Sequence, residues 1–279
     1  MKINGWIYYN HAAIPSSAPH IEPDTTPIQN GDIWHIDGGT TLLARWTTDF
    51  DCEHETNWWH VIKDTPFDIS QLKAKRRYEI NKGIKNFDVL RIDPRDYKEA
   101  LYQVQVTAYS AYPEKYRPTV NKERFFSGID RWDRHTVFGA FHRETKELCG
   151  YALLATEHSD CIEFRMLKAK PAQERNGINA ALVAGLLEYF ETFLAEGGYI
   201  CDGERSINHE TAFQDYLEKY FGFRKAYCKL QIRYKWWFSL LIRGLYPFRK
   251  LLRRLDSVRK IHLVNSLLKM EEVSTNRKG

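Results

Sequence analysis

The sequence predicts an α+β fold: a mixed, mostly antiparallel sheet flanked by helices, preceded by a partial α/β region. Three observations carry this. From residue 87 onward the hydrophobic pattern reads strand, two helices, three strands, long helix, strand, helix, strand. The long helix, residues 176–198, has an Ala/Leu-rich face recurring every three to four residues. The bulk composition, 43% hydrophobic and 28% charged over 279 residues, is that of a globular chain able to bury a core of normal size.

Residues 1–70 carry many Pro, Gly, Asp and Thr with short strand-like pieces, and "DIWHI", "DGGT" and "LLARW" read as a hairpin over 32–46. A helix follows, with Asp68 or Ser70 as cap, Leu72, Arg76, Glu79 and Ile80 at helical spacing, and Gly83 as its end. "FDVLRID" alternates as a strand over 87–93. Residues 94–112 put Tyr97, Leu101, Val104 and Ala108 on one helical face, and 121–132 form a short second helix. Strands are expected at 136–142, 148–156 and 161–168, separated by "RETKE" and "EHSD". The long helix stops at Gly197-Gly198. Then come a strand at 199–204, a helix at 208–222 capped by Asn208, and a strand over 223–236. The expected division is 1–86, 87–236 and a tail, 237–279.

The chain's charge is uneven. Residues 229–262 hold ten Lys/Arg against the single acid Asp256, a net +9, so the remainder of this +5 chain is −4. The basic character therefore belongs to the tail. There, Phe248, Leu251, Leu252, Leu255, Val258 and Ile261 fall at helical spacing, with Arg and Lys between them and Pro247 separating them from Trp236, Trp237 and Phe238. Two readings of residues 236–264 stay open: a peripheral helix on an anionic membrane surface, or a helix folded back on the domain with basic side chains snorkelling.

Five cysteines without CxxC spacing read as reduced thiols in a cytoplasmic protein. The ten histidines show no metal-ligand spacing, so no metal is expected. No run approaches a membrane span, and the N-terminus has no secretory apolar core. No Ser/His/Asp or Cys/His arrangement argues for a covalent nucleophile.

The element order resembles the GNAT acyltransferase fold. In that family the fourth strand runs into a Gln/Arg-x-x-Gly-x-Gly/Ala loop, and backbone N–H groups at the start of the following helix hold the pyrophosphate of acyl-CoA, where the helix dipole favours an anion. Here "QERNGIN" follows the strand "CIEFRML". Gly177 takes the place of the central glycine, Glu174 and Asn179 stand at the other two positions, and Gln173 and Arg175 flank Glu174. The resemblance implies an acyl-CoA site over Gln173, Arg175, Asn176, Gly177, Ile178 and Asn179, with acetyl-CoA the expected donor. The closing helix is similar as well: Asn208, then "TAFQDYLEKYFGF". Glu218 stands where GNAT enzymes place a tyrosine acid, bracketed by Tyr216 and Tyr220.

A second stretch, "LKAKRRYEINKGIKN", resembles the Fem-type branch of the superfamily, whose R-x-x-I-x-K-A/G helix is matched by Arg77, Ile80, Lys82 and Gly83. That branch implies an aminoacyl-tRNA donor and a cell-envelope acceptor. The basic helix, with Arg76 and Arg77, would then contact phosphates.

Acyl transfer to an amine needs a proton acceptor, and the GNAT resemblance implies that the donor lies in a gap where the fourth and fifth strands splay apart. Glu163 on the fourth strand, and Asp202 and Glu204 at the end of the fifth, are the candidates, with Tyr220 as acid. Arg205, Asn208 and His209, in the polar run after that strand, are candidate substrate contacts. Ion pairing with Arg165 and Arg205 for the acids, and helix capping for Asn208, are the structural alternatives. The expected function is N-acyl transfer from acyl-CoA to a small-molecule or lipid-linked amine by direct attack; aminoacyl transfer from tRNA and a non-catalytic GNAT-like protein bound to membrane or nucleic acid are the alternatives.

Overall fold

The computed structural model describes residues 1–279 except 113, 115, 116, 157, 208–211, 257 and 276–279. In chain order its elements are β1 (Trp6–Tyr9), β2 (Ala12–Pro15), α1 (Thr26–Gln29), β3 (Leu43–Thr48), β4 (Trp58–Lys63), α2 (Ala74–Asn86) and β5 (Phe87–Ile92). Next come α3 (Lys98–Ser110), α4 (Lys122–Ile129), β6 (His135–His142), β7 (Leu148–Ala155), β8 (Cys161–Ala169), α5 (Ile178–Tyr189) and α6 (Glu191–Ala195). The chain closes with β9 (Tyr199–Glu204), α7 (Ala212–Phe221), β10 (Arg224–Tyr234), α8 (Trp236–Leu245), α9 (Arg249–Arg253) and α10 (Arg259–Ser274). The fold is α+β with mostly antiparallel strand pairing, as the periodicity predicts.

Two compact units emerge. The first gathers the described residues of 1–61, 204–211 and 225–279; the second those of 62–203 and 212–224. Neither is one continuous stretch of chain.

In the first unit β1 pairs antiparallel with β2, β2 parallel with β3, and β3 antiparallel with β10. Trp6, Ala13, Ile28, Ile33, Ile36 and Ala44 form one core cluster. The hairpin expected over 32–46 does not form. Asp32–His35 is a 3₁₀ turn, and β3 takes β2 and β10 as partners. The reason is spacing: Ile33 and Ile36, three apart, both reach the core from one face of a turn, which a strand's alternation would prevent. A second cluster joins Ala12 and Leu43 to Phe238 and Ile242 of α8 and Leu268 of α10. The tail therefore folds back, but not as one helix: α9 ends at Arg253 and α10 starts at Arg259, so the helical run read from Phe248 to Ile261 is broken.

In the second unit β5, β6, β7 and β8 form successive antiparallel pairs and β9 adds in parallel to β8. Tyr151 of β7 points into a cluster with Leu101 and Val104 of α3 and Ile129 of α4. Its neighbour Gly150 points the other way, where a Cβ would press on Ile178 and Leu182 of α5. So α3 and α5 cover opposite faces. Eight residues of α5 are buried, because the helix lies between the sheet and α2. It stops at Tyr189, and α6 continues to Ala195, so the single expected helix is two. Gly83 does not end α2, which runs on to Asn86; it is the crossing point with α5, since a methyl there would collide with the Gly177 carbonyl oxygen.

Candidate active site at the β8–β9 divergence

The parallel ladder between β8 and β9 is short: Cys161↔Tyr199, Ile162↔Ile200, Glu163↔Cys201. On its other edge β8 stays paired with β7 as far as Ala169↔Gly150, with Arg165 as an extra residue between the Phe164 and Met166 partners. Such a bulge increases local twist. Among the described residues, β8 and β9 share no pairing beyond Glu163, so the two strands diverge there and the edge of β8 from Phe164 onward carries no β9 ladder. Asp202 is the first residue of β9 past the ladder.

Burial raises the Asp202 carboxyl from its usual range to about 7, and a hydrogen bond from the Gln214 side chain holds it back from rising further. Gln214 is itself buried, on the inner stripe of α7 with Leu217 and Phe221. A carboxyl poised near neutrality accepts a proton at neutral pH without being fully ionised beforehand. Glu163, by contrast, is paired with Arg165 at 2.6 Å.

Helix α7 carries an aromatic row beside this edge. Phe213 meets Phe164 at 5.6 Å between centroids and Tyr216 at 6.2 Å, and Tyr216 meets Tyr220 at 5.0 Å. Burial raises the Tyr216 hydroxyl. The Tyr220 hydroxyl is raised chiefly by its hydrogen bond to Glu79 of α2, while Arg76, 5.6 Å from the ring centroid, pulls it down. Arg76 also donates to the Lys219 carbonyl, and Arg77 to the Ser70 carbonyl at 2.9 Å. Thus α2 spans from the end of α7 to the start of α5.

At that start, Pro171–Asn176 forms a 3₁₀ turn and Gly177, at φ +84°, caps α5. Only glycine adopts this conformation without strain. The Asn176 side chain donates to Gln173 Oε1 at 2.8 Å, Arg175 is exposed, and Ile178 is fully buried. The Asn179 Oδ1 is buried without a hydrogen-bond partner. Two α2 side chains hold the turn: Lys82 Nζ donates to the Arg175 carbonyl at 2.5 Å and Asn86 Nδ2 to the Asn176 carbonyl at 3.0 Å. A Cβ on Gly177 would lie 2.9 Å from Gly83 Cα. The backbones of α2 and of this turn are therefore in direct contact.

The remaining candidates lie in the first unit. Glu204 is ion-paired with Arg45. Close by, burial lowers buried His60 to about 4, with Glu204 opposing and Arg45 reinforcing that shift. The Arg205 guanidinium stacks 4.5 Å from the Trp59 ring and donates to the Asn57 carbonyl at 2.6 Å; Lys225 lies 4.7 Å from the same ring. Asn208 and His209 fall outside the described residues. Sequence reasoning missed Gln214 and Glu79. Gln214 had a signal, a polar residue on the buried stripe of an amphipathic helix. Glu79 had none, since its partner is remote in sequence.

No family model matches the chain, and no curated protein sequence does. Solved structures do. L-PGS from Bacillus licheniformis superposes with a TM-score of 0.50 at 13% identity, over 82% of this chain and 79% of its own. The C-terminal domain of a protein described as a lysylphosphatidylglycerol synthetase, from Agrobacterium fabrum, gives 0.50 at 10% identity over 85% and 82%. A tandem GNAT protein from the clavulanic acid biosynthesis pathway gives 0.40 at 13% over 80% and 75%. At these identities what the first two share with this chain is the fold alone.

Proposed function

We propose that the chain is an acyl-group transferase whose reacting centre is the divergence between β8 and β9, with an aminoacyl ester of tRNA as donor. The observation that carries the reaction type is the buried Asp202 carboxyl, raised to about 7 at the end of the β8–β9 ladder. The acceptor's amine attacks the ester carbonyl. Asp202 takes the amine proton, the C–O bond to the tRNA ribose breaks, and that oxygen leaves with a proton for which Tyr220, raised by Glu79, is the donor. No covalent enzyme intermediate is needed.

The donor reading rests on α2. Its backbone lies against Gly177, where an acyl-CoA pyrophosphate would be expected, and its side chains Lys82 and Asn86 are already bonded to the turn. The same helix and its N-cap carry Lys73, Lys75, Arg76, Arg77, Lys82 and Lys85, a cationic surface suited to a polyphosphate backbone. One of the structures at a TM-score of 0.50 is described as a lysylphosphatidylglycerol synthetase, named for an aminoacylated lipid, and this favours a lipid-linked or cell-envelope acceptor over a free small molecule. An aminoacyl-tRNA donor places the reaction in the cytoplasm. Acyl-CoA is the second reading, supported by the start of the 12-residue α5 directly after the turn from β8, since a helix N-terminus favours a phosphate.

Thermal unfolding with each donor separates the two. A ligand at a hundred times its dissociation constant adds about 2.7 kcal/mol, or roughly five degrees or more at this size. A rise with aminoacyl-tRNA, falling with salt, and none with millimolar CoA or acetyl-CoA is expected. A rise with CoA alone would overturn the tRNA reading and install acetyl transfer.

A further inference from the structure

Helix α8 inverts the usual order of a surface helix. Phe238 and Ile242 enter the core with Ala12, Leu43 and Leu268. Its outward side is apolar too: Trp236, Trp237, Leu240 and Leu241 are 74%, 42%, 61% and 50% exposed. Phe248 and Leu251, at the start of α9, are likewise exposed. An ordinary helix on a globular surface would present polar residues there, and contiguous apolar exposure of this kind marks an interaction site.

The charge around the patch is of one sign. From Lys229 to Leu255 the chain holds eight Lys/Arg and no acid. Arg233, Arg243, Lys250 and Arg254 are exposed. Arg253 is paired with Glu272 at 2.7 Å, and Arg249 stacks on Tyr246. So the apolar face wears a collar of cations.

We infer that the outward face of α8 and α9 docks on an anionic lipid bilayer. Tryptophan and leucine would enter the headgroup boundary while the collar meets lipid phosphates. Tryptophan suits that depth, its ring being apolar with one polar N–H. A second copy of this chain is a poorer occupant, because it would press two cationic collars together. Spanning is not at issue: among the described residues no helix is long and apolar enough to cross a membrane. The inference goes beyond the transfer reaction proposed above and does not depend on it.

The test is co-sedimentation of the full chain with vesicles of phosphatidylglycerol and phosphatidylcholine, against vesicles of phosphatidylcholine alone. Binding to the anionic vesicles is expected, weakening sharply between about 0.1 and 1 M salt as the screening length falls from roughly 10 to 3 Å. Each collar charge removed should lower partitioning about fivefold, so R243E/K250E should nearly abolish it. W236A/L240A should lose at least about tenfold at low salt, since both side chains are outward. Far-UV circular dichroism confirms that each variant is folded. A control, K75E/R77E on α2, should bind as wild type. No binding to anionic vesicles, equal binding to neutral ones, or loss only in the α2 control would overturn the inference. So would a self-associated chain that W236A/L240A turns into monomers without any vesicle binding.

Discussion

Replacing Asp202 with asparagine should make the protein more stable above neutrality, and the gain should depend on pH. The folded carboxyl titrates near 7, raised from 3.8 by burial. Between those two values the unfolded chain has released the proton and the folded chain has not. Folding therefore takes up a proton in this window, and stability falls as pH rises from about 4 to about 7. Three units at 1.36 kcal/mol each give a penalty of about 4 kcal/mol above pH 7, against about 1.5 kcal/mol at pH 5. Asparagine keeps the shape and a partner for Gln214 but carries no charge. Whatever fixed cost the substitution has cancels between the two pH values, leaving a differential gain of up to about 2.5 kcal/mol at pH 8 relative to pH 5. Water reaching the carboxylate would reduce it, so the figure is a ceiling. The wild type alone would hide the effect. His60, lowered to about 4 from 6.5, makes stability fall as pH drops through that range, which is the opposite slope. The assay is guanidinium unfolding of both proteins at pH 5 and pH 8. A gain identical at both would refute the reasoning, because it would mean that the folded carboxyl is not raised. The same variant lacks the proposed proton acceptor, so it should also lose transfer by about 10²–10⁴-fold.

Two further substitutions test the packing. Gly83→Ala should lower the thermal midpoint despite alanine's better helix propensity of about 1 kcal/mol, because its methyl meets the Gly177 carbonyl and Ala181 N; overpacking of this kind costs about 1–3 kcal/mol net. A neutral or stabilised variant would mean that α2 and α5 do not cross there. Thr41→Val should stabilise by about 1 kcal/mol, since the Thr41 hydroxyl is fully buried without a hydrogen-bond partner, while Thr41→Ser should not. A loss on valine, read from the same unfolding curves, would show that the hydroxyl is satisfied.

Much of the second unit was legible because its elements announce themselves locally. Strands 87–93, 136–142, 148–156 and 161–168 alternate or run apolar between turn residues, and all appear within about two residues. Asp202 was legible as a candidate for a topological reason, an acid at the end of a buried strand. Its distinction from Glu163 and Glu204 was not. That depends on Gln214, Arg165 and Arg45, three partners chosen by the fold, which leave one carboxyl buried and pair the other two. The failures share a cause. "DIWHI" is strand-like by composition, yet burying Ile33 and Ile36 together selects a turn. Phe248 to Ile261 have a helical period, yet Asp256 bonds to Asn265 and His262 of α10, fixing the break before that helix.

Gly177 shows how one residue serves two accounts. Its φ of +84° requires glycine for the chain to turn from β8 into α5, whether or not a phosphate sits at that helix start. The glycine alone therefore never separates a cofactor site from a turn. What separates them is the neighbour. An open helix start leaves its first N–H groups to a ligand. Here a second glycine, Gly83, brings the backbone of α2 against it, and Lys82 and Asn86 bond the carbonyls of the turn. Two glycines in contact are what a close helix crossing needs, and on the donor reading proposed above that crossing accounts for the glycine without a pyrophosphate. The basic residues that a polyphosphate would meet then lie on the outer side of α2, with Lys75 and Arg77, rather than inside the turn.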